Sequence, residues 1–208
     1  MDRMPDDAAS PSPPPAQAPR VDRRTLMLDA SIRVIAANGL RGLTHRAVQE
    51  EAGLPNGSVT YYFKTRDQLV LAVVDRMTDL DRVYAGQLTH ELMRATAVRP
   101  IVIDYVHMAE FMSHWWTECR EVQLARLELE IAGTREPVLH DAMIRCQAEF
   151  RSFAELIALS LGSSDPELDG QVMLSFLDGL LFDFVTRDAV DPRYLEVGLR
   201  RAIESVLY

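Results

Sequence analysis

The sequence predicts an all-α protein of about nine helices, and three observations predict it. Apolar residues recur at three- and four-residue spacing from the first structured segment to the C-terminus, and no stretch alternates as a half-buried strand would. Glycines (Asn38-Gly39, Gly53, Gly133, Gly162) stand where helices stop, and prolines (Pro137, Pro166, Pro192) stand where helices start. Apolar residues form 48% of 208, which is enough for a packed core.

Residues 1–20 hold six prolines and no apolar period, the composition of a disordered or polyproline-like tail. The first helix spans Arg23 to Gly39, with Leu26, Ala30 and Val34 on one stripe beside Leu28, Ile32 and Ile35. Thr44 caps a second helix whose Ala47, Val48 and Ala52 share a face, and Gly53 ends it. After Leu54-Pro55 a third helix has room only from about Asn56 to Tyr62. Thr65 with Gln68 three residues later is a capping box, which opens a long fourth helix through Leu69, Val73, Met77, Leu80 and Tyr84 to about Met93. Beyond Pro100 the pattern gives Ile101 to Cys119, Arg120 to Ala132, and Pro137 up to Gly162. Asp165-Pro166 and Asp191-Pro192 each place a capping Asp before a first-turn proline, opening helices to about Thr186 and to the C-terminus.

Charge is uneven along this series. The net charge is −9, yet Val21 to Thr65 carry six basic against four acidic residues, and from Arg66 onward there are 14 Arg against 24 Asp or Glu. Two cysteines, Cys119 and Cys146, make no disulfide framework or metal spacing and fit a reducing cytoplasm. No apolar run approaches a membrane span, and the N-terminus lacks a secretion pattern, so no membrane partner is expected. No phosphate loop, nucleophile–base spacing or paired metal ligands argue for an enzyme. His107, Glu110, His114 and Glu118 share a helix face only in part, so neither a metal nor another cofactor is expected.

Two short helices joined by a glycine-containing turn form a helix-turn-helix, whose second helix enters the DNA major groove. Such a helix needs only two turns, because its N-terminal residues alone reach base edges. Arg46 and Asn56 offer hydrogen bonds to bases, and Gly57 allows close backbone approach. Ser58, Thr60, Tyr61 and Tyr62 offer hydroxyls for phosphates or contact with a thymine methyl. Thr44, Val48, Ala52-Gly53-Leu54, Gly57-Ser58-Val59, Phe63 and Thr65 to Leu69 keep a spacing that resembles the DNA-binding domain of the TetR family of transcriptional regulators. Gln49 stands where that family has a small residue, Pro55 where it has a capping Ser, and Thr60 where it has a phosphate-contacting Tyr.

The resemblance implies phosphate contacts from Thr44, His45, Lys64 and Arg66, and base contacts from Arg46, Asn56, Gly57 and Tyr61. It divides the chain into the tail (1–20), a three-helix DNA-binding domain (21–66) and a helical ligand-binding and dimerisation domain (67–208). The eighth helix is apolar nearly all round, and a helix of that kind must be covered on every side, by its own core or by a second subunit. The expected dimer interface is Val172, Phe176, Leu177, Leu180 and Phe184 with Leu195 and Leu199 of the last helix. The expected ligand-binding residues are His107, Phe111 and Trp115, one stripe at four-residue spacing, with Arg126 and Glu130 on the next helix. The aromatic stripe also reads as plain core, and Arg126–Glu130 as a plain intrahelical ion pair. These readings converge on a cytoplasmic homodimeric repressor that binds double-stranded DNA as an inverted repeat and leaves it when a small apolar or amphipathic effector binds. The alternatives are an all-helical enzyme or an interaction module.

Overall fold

A computed structural model describes residues 22–187 and 191–206, so the proline-rich tail lies outside the described residues. Among the described residues there are nine helices and no strand. They are α1 (Arg23–Gly42), α2 (His45–Glu51), α3 (Ser58–Tyr62), α4 (Arg66–Thr96), α5 (Tyr105–Glu118), α6 (Arg120–Gly133), α7 (Pro137–Leu161), α8 (Pro166–Thr186) and α9 (Pro192–Glu204).

The ends follow from local chemistry. α1 turns at Gly39, whose φ of 67° is left-handed, before one more turn to Gly42. Thr44 Oγ1 accepts the Ala47 N–H and Thr65 Oγ1 accepts the Gln68 N–H, each at 3.1 Å, and such caps are worth about 1 kcal/mol apiece. The Thr65 box closes one residue early, because Gln68 Oε1 accepts from the Lys64 N–H at 2.9 Å. α3 starts at Ser58 rather than Asn56, because Gly57 stands outside it at φ 84°. α4 runs past Met93 to Thr96. α5 starts at Tyr105 rather than Ile101, because the Asp104 side chain accepts the His107 N–H and leaves 101–104 outside the helix.

Two apolar cores fill the molecule. The first joins α1, α2, α3 and the first half of α4 to Val122, Ala125 and Leu129 of α6 and to Leu139, Met143 and Cys146 of α7. The apolar packing of the DNA-binding unit therefore continues past residue 66. The second core lies among the rest of α4, α5, the end of α7, α8 and α9. α7 and α8 cross so closely at Gly170 that a Cβ there would stand 2.8 Å from the Glu155 backbone nitrogen. Among the described residues no helix is long and apolar enough to cross a membrane.

Candidate DNA-binding surface and effector cavity

The turn between α2 and α3 is built from backbone geometry that only glycine adopts freely. Gly53 and Gly57 both have positive φ, at 63° and 84°. Gln49, buried beneath the turn, accepts the Gly57 N–H through Oε1 at 2.7 Å and so fixes the start of α3. A small residue here could not make that bond, so the departure at Gln49 has a structural role. Val48, Val59 and Phe63 anchor the pair in the first core.

The opposite face is polar and open. Thr44, Arg46, Asn56, Gly57, Thr60, Tyr61, Tyr62, Lys64 and Arg66 are exposed, while His45 and Ser58 are half-buried. Tyr61 leaves 74% of its surface in solvent, edge-on to Tyr62 at 5.3 Å and beside Lys64 Nζ at 5.6 Å. His45 Nδ1 shares a hydrogen bond of 3.3 Å with Thr60 Oγ1, and its Nε2 has no partner in the protein. Two of the basic groups are engaged. Arg46 pairs with Glu50 at 2.8 Å on an exposed surface, where solvent screens the pair and it contributes little. Arg66 donates to the Leu40 carbonyl at 2.8 Å and so also closes the end of α1.

Above this unit, α4, α5, α6, α7 and α8 line a cavity of about 230 Å³ that opens to solvent past Gln147, Gln171 and Asp178. Beside its floor lies Asp81, fully buried on α4. It accepts hydrogen bonds from Trp115 Nε1 at 2.9 Å, from Gln123 Nε2 at 2.8 Å, and from the Arg126 guanidinium. A buried carboxylate is tolerated only when its charge and lone pairs are matched in this way. Arg126 also lies over the Phe150 ring at 5.2 Å, and Tyr84 stacks on Trp115 with their planes 7° apart. Leu88, Met112, Phe153, Ile157 and Leu181 form apolar walls. Glu130 and Asp178 line the cavity as well. Asp178 stands at the solvent-exposed rim, yet the protein packed around it, then the nearby Glu130 carboxylate, push its carboxyl above the usual aspartate range, with Arg126 opposing them.

Trp115, Arg126 and Glu130 thus line one cavity, but His107 and Phe111 do not. The shared stripe on α5 passes the cavity only at its Trp115 end. His107 is exposed beside Glu91, with Nε2 3.8 Å from the carboxylate, in a groove between α4 and the segment before α5. Phe111 is half-buried and packs on Tyr84 with centroids 6.2 Å apart. The Arg126–Glu130 ion pair does not form, because Arg126 turns to Asp81 and Glu130 accepts from Gln147 at 3.3 Å. Sequence reasoning missed Asp81, Gln123 and Asp178. The available signal for Asp81 was an acid standing four residues from Met77 and four from Ala85 on the buried stripe of α4.

The expected interface residues separate into two sets. Val172 and Phe176 of α8 are exposed at 39% and 44%, and Leu156 and Leu159 of α7 are exposed too. Leu180, Leu195 and Leu199 belong instead to the protomer's own second core, where α9 buries its apolar face and Gly198 lies against Leu180. They present no surface to another subunit. Leu177 lines the cavity, and Phe184 packs edge-on against Trp116 at 5.5 Å.

A short helix after a glycine turn, polar side outward and carried on a helical body that holds a cavity, defines a helix-turn-helix DNA-binding regulator. Residues 27–73 match the family described as bacterial regulatory proteins, tetR family, and residues 102–207 match the tetracyclin repressor-like C-terminal domain. The chain belongs to the TetR family of transcriptional regulators, DNA-binding proteins rather than enzymes. It is 23% identical over 173 residues to the HTH-type transcriptional regulator PksA of Bacillus subtilis, covering 80% of each chain. A TetR-family structure from Streptomyces coelicolor superposes with TM-score 0.67 and 26% identity over 88% of this chain and 99% of that one. The multidrug binding protein EbrR complexed with imidazole gives TM-score 0.63 and 25% identity over 88% and 96% of the two chains. EbrR has also been crystallised with proflavin and with ethidium.

Proposed function

We propose that this regulator is a homodimeric repressor, resident in the cytoplasm, that holds an inverted-repeat operator and releases it when a small molecule fills the cavity. The observation that carries the reading is the placement of α6. Val122, Ala125 and Leu129 pack in the core of the DNA-binding unit, while Gln123, Arg126 and Glu130 line the cavity. A ligand that moves α6 would therefore move side chains of the core that α1, α2, α3 and α4 share. Exposed Val172 and Phe176, with Leu156 and Leu159, form an apolar surface suited to a second copy, and the EbrR complexes support a small-molecule effector. DNA contacts are assigned to Thr44, His45, Arg46, Asn56, Gly57, Ser58, Thr60, Tyr61, Tyr62, Lys64 and Arg66. The test is selection of bound duplexes from a random pool, followed by sedimentation of the complex. A two-fold dimer requires an inverted repeat with half-site centres roughly 34–36 Å or a multiple apart. Enrichment of a single unrepeated site, bound by a monomer, would refute the reading.

A further inference from the structure

The polar corner of the cavity is matched on one side only. Gln123 is fully buried, and its Nε2 donates to Asp81 Oδ1, yet its Oε1 has no partner in the protein. Turning the amide over gives no relief, because Oε1 would then face the Asp81 carboxylate. Arg126 is in the complementary state: its guanidinium terminus donates to Asp81 Oδ2, while its buried Nε–H has no acceptor. One carboxylate therefore clamps both side chains, and each free atom lies two bonds from the atom that Asp81 holds. An unmatched acceptor and an unmatched donor are left one helical turn apart on α6, on two residues that line the cavity. Buried polar atoms in folded proteins almost always have a partner, so an unmatched pair of this kind points to a group from outside.

We infer that the effector carries a neutral group, a hydroxyl or a primary carboxamide, that donates to Gln123 Oε1 and accepts from the Arg126 Nε–H. This rests on the effector reading above and gives it a ligand class. Charge excludes the alternatives. A carboxylate ligand only accepts, so it would turn lone pairs toward Gln123 Oε1 and join Asp81, Glu130 and Asp178. An ammonium only donates, so it would leave the Arg126 Nε–H unmatched and sit against a guanidinium. The rest of the ligand is set by Trp116, Phe150, Phe153, Leu88 and Ile157, which suit a flat apolar body. A volume of about 230 Å³ is small beside common ligand pockets of about 300–1,000 Å³ and suits a one- or two-ring molecule.

The experiment is calorimetric titration of the full-length protein with five probes of one shape: 2-naphthamide, 2-naphthol, 2-naphthoate, 2-naphthylmethylammonium and 2-methylnaphthalene. The amide and the naphthol are expected to bind about tenfold or more tighter than the other three, as matching buried polar partners requires. Gln123→Met, and Arg126→Lys, which keeps the charge on Asp81 but lacks Nε, should bring the amide down to the methylnaphthalene level. If either variant fails to fold, the ranking of probes on the wild type decides. The proposal is overturned if the naphthoate or the ammonium binds tightest, if Gln123→Met keeps the amide preference, or if no probe binds and water alone serves the pair. Operator release is measured separately. The expected ranking without release would leave the anchor standing and remove the effector reading instead.

Discussion

Replacing Asp81 by Ala tests whether its buried carboxylate organises the cavity. The change removes one acceptor group and orphans three donors at once: Trp115 Nε1, Gln123 Nε2 and the Arg126 guanidinium. The Arg126 side chain is only 14% exposed, so its charge would be left largely out of water. Breaking a buried pair from one side costs about 3–5 kcal/mol. Each orphaned neutral donor adds about 1–3 kcal/mol as an upper bound, and water entering the space left by the carboxylate offsets part of this. A loss of about 3–5 kcal/mol is therefore expected, or about 6–20 °C in Tm for a chain of this size. Removing the charge on both sides, in Asp81→Leu with Arg126→Met, should recover most of the loss, since apolar replacements of a buried pair are often neutral. Urea unfolding at one fixed protein concentration measures both, because the stability of any oligomer depends on concentration. A single variant costing under about 1 kcal/mol, or a double variant no better than the single, would show that the carboxylate does not anchor this cluster.

Three further outcomes can be checked. Arg66→Ala should lower stability by about 1 kcal/mol through the lost Leu40 bond, and should flatten the salt dependence of operator binding by about 0.9 per half-site. Lost stability with an unchanged slope assigns Arg66 to the fold alone. Phe176→Glu, on an exposed part of α8, should give a folded monomer by sedimentation with little operator binding; a dimer of wild-type affinity places the interface elsewhere. Asp178→Asn should raise Tm slightly at neutral pH, because the side chain stands at the exposed rim, where solvent screens the effect. The native carboxyl titrates above its ordinary value, so its favourable protonated form is lost as pH rises through the raised pKa, whereas Asn carries no charge. The gain should fade as pH drops toward the ordinary aspartate value of 3.8, and a gain that grows there instead reverses the assigned sign.

Much of the fold was legible because helix limits are written in short-range chemistry. Thr44, Thr65, Asp165 and Asp191 cap the helices that follow them, and Gly162 supplies a left-handed stop, while Gly39 kinks α1 before its end at Gly42. The start of α5 was misplaced because the apolar pattern from Ile101 continues without a break, while the competing cap at Asp104 acts through a single side chain. The helix-turn-helix was legible for the same local reason, since its spacing lies within one stretch of chain. The cavity was not. Asp81, Gln123 and Arg126 come together across more than 40 residues, and periodicity on one helix says nothing about what a neighbouring helix places opposite it. The same limit misassigned Leu195 and Leu199: an apolar face must be covered, but the sequence does not show whether its own protomer covers it.

The cavity and the DNA-binding unit are joined through two helices rather than one. α4 runs unbroken from Arg66, beside the recognition helix, to Thr96, and contributes to both cores. That alone makes it a candidate lever. α6 meets the same unit independently, and its cavity-lining residues at 123, 126 and 130 follow its core-packing residues at 122, 125 and 129 by one position each. One position is about 100° of helix rotation, so a small turn of α6 that moves Gln123 and Arg126 also moves the side chains packed against α1. The Asp81 carboxylate, carried on α4, holds both of those α6 side chains. The two helices are therefore tied together at the place where the effector is proposed to bind, and neither is free to move alone. On the proposed reading, a ligand that engages Gln123 and Arg126 would work on α4 and α6 at once. If that ligand shifts operator affinity, linkage requires the operator to shift the ligand's affinity by the same factor, typically about 5–150-fold.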